Sequence, residues 1–442
     1  MELSPPQCAI QPDQFLPAVA DNRSVARSRF AIWIVGAGLV ALFVKLVIAY
    51  NTFGTNDVVV FYTFARSLAD HGLTWTYQRG VVWLPISPIF NHPPLTAYFL
   101  QFVAQLAQQE SFRANGFTFP FLLRFPGIIA DFGVVVLLLQ LRSTYPSFRI
   151  PNWALVLFAL SPVSLMVSGF HGNTDPMMVL FLFLACAMCV TNQPLLCGLF
   201  FALSGQIKMI PLLLLPIFFF FWLARRRSWA FLIPFVVCSV ICSWEPLLRF
   251  PALFIKNVFS YGSYWGLWGI TYWLRLTGYR SVAVVSFFDL PLLETIIIAA
   301  LKLLIIAAVF AIAWRRRKLD GLSLFQSVAY AWIVFFVFSP GISPQYMIWL
   351  APFVLVLSPN LYGYLVAGSS LFLFFFYNIN AGGLPWYLAI STNDRNIAWT
   401  PWSLWPWTIL IVGMICLWRK ARGVDPSLRL FSLKTLPANS SP

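Results

Sequence analysis

The stretch at residues 51–94, NTFGTNDVVVFYTFARSLADHGLTWTYQRGVVWLPISPIFNHPP, interrupts an otherwise apolar chain. A long apolar segment, residues 30–50, precedes it, and most of the chain beyond residue 94 is apolar too. Within it lie Asp57, Asp70, His71, His92 and the pair Pro93-Pro94. Acids and histidines gathered in one polar loop between apolar segments mark the place where chemistry belongs.

Of the 442 residues, 60% are hydrophobic and 10% charged, against about 25% charged in soluble domains. Apolar segments long enough to cross a bilayer recur along the chain. The expected fold class is therefore all-α, a polytopic transmembrane helical bundle. The formal charge of +15 does not indicate a nucleic acid. The cations cluster just beyond apolar segments, at Arg225-Arg226-Arg227, Arg315-Arg316-Arg317-Lys318, and Arg419-Lys420 with Arg422. That is the positive-inside pattern, and membrane lipids with anionic headgroups are the expected partners. Arg23, Arg27 and Arg29 put the start of the first span in the cytoplasm. Six of the seven cysteines fall in or beside apolar segments, where packing explains them, and no spacing completes a zinc site.

Following the charges along the chain gives about twelve spans with both termini inside. Residues 51–94, 245–288 and 378–400 become outer loops, and residues 1–29 and 421–442 cytoplasmic tails. Residues 93–120 begin and end outside. Val58 to Leu68 reads as an amphipathic helix with Phe61, Phe64, Ala65 and Leu68 on one face, ended by Gly72. Gly205, Pro211 and Pro216 predict broken helices, which need a protein or watery surround.

On this map Asp57, His171 and Asp175 share the outer face. Asp57 has the chemistry of a general base, or of a helix N-cap. Asp175, before Pro176 in HGNTDP, reads equally as a cap. Lys208 and Arg124 are cations suited to a phosphate; their bland alternatives are snorkelling or pairing with an acid such as Asp131. Gln345-Tyr346 could orient a hydroxyl or a phosphate. Glu245 and Arg275 are lesser candidates. No P-loop, HExxH, dinucleotide fingerprint or serine elbow occurs. Any activated donor is therefore expected to be membrane-borne. A polytopic lipid or sugar transporter or flippase is the competing class, although no inverted repeat is evident.

Several motifs carry a resemblance. Asn56-Asp57 after the first span, His92-Pro93-Pro94-Leu95-Thr96-Ala97-Tyr98, Arg124 with Asp131, HGNTDP at 171–176, Gly205-Gln206-Ile207-Lys208, and SPGISPQY at 339–346 are together similar to polytopic membrane glycosyltransferases of the C-type fold. The likeness is to the glucosyltransferases of lipid-linked-oligosaccharide assembly and their bacterial relatives. It implies a glycosyltransferase module at residues 30–228 and a C-terminal transmembrane region at 229–420. It further implies hexose transfer from a polyprenyl- or dolichyl-phosphate sugar to a lipid-linked glycan or other outer-face acceptor. Inversion is implied, with no required cofactor; Mg or Mn is the unfavoured alternative. Asp57 would be the base, grouped with His171 and Asp175 as catalytic. Lys208, Arg124, His92, Tyr98, Gln345 and Tyr346 would bind substrate. HGNTD replaces the aromatic-containing turn of the eukaryotic enzymes, and the loops are short. Both features point to the bacterial cytoplasmic (inner) membrane.

Overall fold

A computed structural model describes residues 20–80, 89–259, 265–277, 291–389 and 398–421, with the side chains of 20–29 and 421 left out. Arg23, Arg27, Arg29, Arg422 and parts of all three outer loops lie outside the described residues or side chains.

The chain begins with α1 (Ala20–Asn51), followed by a two-residue strand β1 (Gly54–Thr55) and α2 (Asn56–Arg79). Next come α3 (Pro94–Gln108), α4 (Glu110–Ala114) and α5 (Phe119–Thr144). A composite span combines α6 (Asn152–Ala159), α7 (Pro162–Ser164) and a π-helical segment, Leu165–His171. After it stand α8 (Asp175–Val190), α9 (Pro194–Ile207), a 3₁₀ turn Ile210–Leu214 and α10 (Leu215–Leu223). The second half holds α11 (Ser228–Arg249), α12 (Pro251–Phe259), α13 (Gly269–Thr277), α14 (Leu292–Arg316) and α15 (Gly321–Phe338). It closes with α16 (Met347–Leu357), α17 (Pro359–Ala381), the strand β2 (Leu388–Ala389) and α18 (Leu404–Ala421).

Among the described residues, 8 helices are long and apolar enough to cross a membrane. Four further apolar helical segments are shorter: Asp175–Val190, Pro194–Ile207, Ile210–Leu223 and Pro344–Leu357. The outer surfaces of the long helices stay apolar. Trp33, Phe43, Ile241, Leu248 and Leu303 are all exposed, as expected of side chains that face lipid rather than water. The breaks foreseen near Gly205 and Pro211 are present: α9 stops at Ile207, a 3₁₀ turn intervenes, and α10 resumes at Leu215.

The foreseen amphipathic helix is the first half of α2, with Val58, Phe61, Phe64, Ala65 and Leu68 buried. Gly72 does end it: its backbone is non-helical (φ 80°, ψ 177°), and a second helical stretch follows to Arg79. The apolar face packs on α3, whose Ala97, Leu100 and Val103 are buried. The Gln101 side chain donates to the Leu68 carbonyl at 3.0 Å. With Phe250, Phe254 and Val258 these residues form a core separate from the main one. α3 has 15 residues, fewer than the roughly 20 a spanning helix needs.

Two polar arrangements lock the first spans together. Lys45 of α1 pairs with Asp131 of α5 at 2.7 Å, and Ser164 and Ser168 donate to the same carboxylate. Arg124 of α5 is fully enclosed. Its guanidinium donates to the carbonyls of Ala49, Thr52, Gly169 and Phe170, to the Thr52 hydroxyl, and through Nε to Pro120. Asp131 therefore takes Lys45 as its cation, while Arg124 takes backbone carbonyls.

At the opposite end of α8 and α9 the basic turns meet. Arg225 donates to the Leu319 and Arg317 carbonyls. The turn after α8 packs against Gly321, where an added Cβ would lie 2.6 Å from the Val190 Cα. α8 has 16 residues, so about 24 Å of helix separates this end from Asp175.

Candidate active site

Two glycines deliver the site's backbone. Gly54 (φ 107°) turns the chain out of α1 into β1, and Gly172 (φ 83°) ends the π-helical segment. Both conformations suit glycine. Both residues also press on Val58: a Cβ on Gly172 would lie 2.3 Å from its Cγ2, and one on Gly54 would lie 2.8 Å away. β1 pairs in parallel with β2, Gly54 opposite Leu388 and Thr55 opposite Ala389. The Thr55 hydroxyl donates to the His171 carbonyl at 2.8 Å. The start of α2 is thus bonded both to the π-helical segment and to the loop after α17.

Asp57 stands in the first turn of α2. It does not cap the helix: the cap position is Thr55, without a side-chain cap bond. Its Oδ2 instead receives the Asn173 amide at 2.6 Å, the Gln345 amide at 3.1 Å and His171 Nε2 at 3.1 Å. Among the described residues all three donors converge on Oδ2, leaving Oδ1 open. His171 Nδ1 lies 2.8 Å from the Tyr377 hydroxyl. Both ring nitrogens of His171 are thus engaged, Nδ1 by Tyr377 and Nε2 by Asp57. Burial raises the Asp57 pKa, but His171, Lys208 and the Asn173 amide together outweigh it and hold the carboxyl below its usual 3.8. Asp57 is therefore ionised at neutral pH.

The second carboxylate, Asp175, begins α8 but also fails to cap it. The Thr174 backbone amide is served by Asn173 Oδ1 at 2.6 Å. Asp175 is fully buried. Its Oδ1 takes Lys208 Nζ at 2.8 Å and the Trp349 indole N–H. Its Oδ2 has no partner among the described residues. Lys208 comes directly after the last residue of α9, in extended backbone. Its ammonium sits over the rings of Tyr346, at 4.6 Å, and Trp349, at 5.1 Å. These rings stack at 3.9 Å. The Thr96 hydroxyl fixes the preceding Ile207 carbonyl at 2.8 Å, so the PPLTAY segment holds the lysine's backbone.

His92 flanks this group. Its carbonyl accepts from the Tyr77 hydroxyl at 2.6 Å, and its ring lies 5.3 Å from that of Phe61. Burial, together with the Lys208 charge and against the attraction of Asp57, pushes its pKa down to about 3. The ring is neutral at physiological pH.

The structure thus brings together Asp57, His171, Asp175, Lys208, Gln345 and Tyr346, with His92 alongside. Tyr98 stands apart on α3, its hydroxyl 3.3 Å from Glu245 Oε2. Arg124 also stands apart: its donors are consumed by the backbone that carries Thr52 and Phe170, so it braces the site from behind. Tyr377 and Trp349, which hold His171 and Asp175, were not foreseen. Trp349 lies three residues past Tyr346 and reads as one more apolar residue. Tyr377 has only the ending of an apolar run to signal it. Among the described residues no group of three or more His, Cys, Asp or Glu is placed to hold a metal ion.

A bundle of membrane-crossing helices with ion-paired carboxylates at one end defines a polytopic membrane protein with an enzyme-like site. The family model of Glycosyltransferase family 87 matches residues 90–340, and the chain belongs to that family. It is a glycosyltransferase of the membrane, which decides against the transporter reading. The match takes in His92, Arg124, His171, Asp175 and Lys208 but begins after Asp57 and ends before Gln345. A comparison with curated proteins gave no match.

Proposed function

We propose that this glycosyltransferase transfers a hexose from a polyprenyl-phosphate sugar to an acceptor hydroxyl at the outer face of the bacterial cytoplasmic membrane. Asp57 is the base and the anomeric centre inverts. The observation that carries this reading is the Asp57 carboxylate: Oδ2 is pinned by three donors, while Oδ1 is free to take a proton.

The chemistry is a single displacement. The acceptor oxygen forms its bond to the anomeric carbon while its proton passes to Asp57 Oδ1. The bond from that carbon to the phosphate oxygen breaks, and the polyprenyl phosphate leaves with the electron pair. A carboxylate held below the usual range is a weak base. It suits a late proton transfer, because the hydroxyl acidifies as its oxygen bonds to carbon. Lys208 adds positive charge where the phosphate develops it negatively, and such stabilisation is strongest away from bulk water.

The eight long and four shorter apolar segments support about twelve spans and a C-type architecture. The site and the basic turns lie at opposite ends of α8 and α9, which under the positive-inside rule supports an outward site. Residues 30–228 supply most of the site and residues 229–420 supply Gln345, Tyr346, Trp349 and Tyr377. A lipid-linked glycan is the acceptor this reading favours.

The test is transfer by the purified protein in lipid, with a panel of polyprenyl-phosphate sugars, with and without a chelator. Asp57→Asn is expected to lower turnover by about 10²–10⁴-fold with donor binding retained. Undiminished turnover by that variant would remove Asp57 from its role. A chelator-sensitive wild type would bring in a divalent cation.

A further inference from the structure

Arg275 is a buried cation with only part of its donors met among the described residues. It lies on α13, outside the long apolar spans, and is only 5% exposed. Its guanidinium packs against the Tyr272 ring at 4.9 Å. The Nε and Nη1 atoms are buried with no hydrogen-bond partner among the described residues. Leaving the donors of a charged group buried and unmet is costly, and native structures rarely do so without a reason.

Arg124 shows what a framework arginine looks like in this fold. It is as well buried, and each of its nitrogens donates to a carbonyl or hydroxyl. Arg275 has the same enclosure, yet its Nε and Nη1 lack acceptors among the described residues. Its surroundings are preformed around it. Gly266, at φ 80°, leaves room for the side chain: a Cβ there would stand 3.2 Å from the Arg275 Cδ. The Gly266 amide donates to the Thr271 hydroxyl at 3.2 Å, and that hydroxyl donates to the Pro340 carbonyl at 2.7 Å. Trp268 fixes the same helix through its indole N–H, bonded to the Phe336 carbonyl at 2.7 Å.

The bond to Pro340 matters because of where that chain goes next. Pro340 belongs to the turn that continues to Gln345, bonded to Asp57, and Tyr346, beneath Lys208. Thr271 and Arg275 are four residues apart in α13, hence on one face and about one turn from each other. Arg275 is therefore anchored to the same turn that builds the catalytic group.

We propose that Arg275 binds the phosphate of the lipid donor, and of the polyprenyl phosphate released from it. The guanidinium's planar fork of N–H donors matches phosphate oxygens two at a time. This deepens the function proposed above and rests on it for the donor's chemistry. Lys208, which shares its charge with Asp175 at 2.8 Å, then acts near the reacting centre, while Arg275, ion-paired with no acid among the described residues, adds the charge that the phosphate matches.

The experiment measures binding of polyprenyl phosphate to the full-length protein in zwitterionic-lipid nanodiscs, which needs no turnover. Inorganic phosphate and a nanodisc enriched in anionic phospholipid serve as the competing arms. Arg275→Gln is expected to weaken polyprenyl phosphate binding about 10- to 100-fold, and Arg275→Lys to restore part of it. In transfer assays the KM for donor rises and that for acceptor does not. Melting temperature should hold or rise in Arg275→Gln, because an unmatched buried charge is removed. Wild-type affinity in Arg275→Gln would overturn the proposal, as would a fall in melting temperature with binding unchanged. Competition by anionic phospholipid as strong as by polyprenyl phosphate would also overturn it, making the site one for bulk lipid. Weak competition by inorganic phosphate supports it, since the lipid must then contribute. Loss of binding in Arg275→Gln from a wild type that transfers no sugar would refute the reaction and keep the phosphate site.

Discussion

At Asp57 the chemistry depends on which oxygen the neighbours occupy. His171, Asn173 and Gln345 all reach Oδ2, so the carboxylate is rigid yet has one face open. His171 and Asn173, with Lys208, hold its pKa below 3.8 against the burial that raises it. This sets a sign for the pH dependence. Asp57 must be ionised to accept a proton, so the acid limb of kcat/KM should lie below the usual carboxylate range. In His171→Gln the stabilising contact weakens, the pKa rises, and the acid limb should move to higher pH together with a fall in rate. A pH–rate profile of the two proteins measures this. A loss of rate with an unmoved limb would make His171 a mere support. The residue types at 57, 171 and 208 were legible from the chain. The capping roles that competed for Asp57 and Asp175 were not taken up, because Thr55 and Thr174 occupy those positions.

Among the elements, the π-helical segment Leu165–His171 carries the most consequence. The wider turn of a π-helix leaves carbonyls unclaimed by its own ladder, and Arg124 takes those of Gly169 and Phe170. The segment then ends at Gly172, wedged against Val58 of α2. Position 172 combines a positive φ with a contact that no Cβ could make. Gly172→Ala should therefore destabilise the fold by about 1–3 kcal/mol and displace His171 from Asp57. Val58→Ala removes the clashing methyl groups and should recover part of the loss. The same rescue should fail for Gly54→Ala, whose Cβ would also stand 2.9 Å from the Phe170 carbonyl oxygen. Melting temperatures of the single and double variants, with transfer rates alongside, decide this. Sequence periodicity found α2 and the break between α9 and α10. It could not find the π-helical turn, because Ser164, Ser168 and Gly169 fit ordinary helix equally well. Their use is set by Lys45 and Asp131, far away in the chain.

For the whole molecule, the site spans most of the chain: Asp57 and Gln345 are 288 residues apart and hydrogen-bonded. The long helices define two ends, one with the basic turns around Arg225 and Leu319, the other with the carboxylates. The proposed orientation predicts labelling by a membrane-impermeant thiol reagent. In a cysteine-free background, Asn56→Cys should react in intact cells, and Arg227→Cys should react only in inverted vesicles. Both positions are exposed. Reaction of Arg227→Cys from outside would reverse the topology. The pairing of α1 with α5 by Lys45 and Asp131 went unread because two lone charges in separate apolar runs carry no mark of each other.

What the chain by itself determined is the membrane character, the ends to which the charges sort, and a short set of polar residues spared from the apolar runs. Those features come from local composition, since bilayer and water divide side chains by transfer free energy alone. Only the tertiary structure decided which of the polar residues work together. It set Asp57 among His171, Asn173 and Gln345, gave Lys208 to Asp175, spent Arg124 on backbone carbonyls, and left Arg275 buried with open donors. Partner choice among buried charges depends on distance and enclosure, and neither is written in the spacing of residues along the chain.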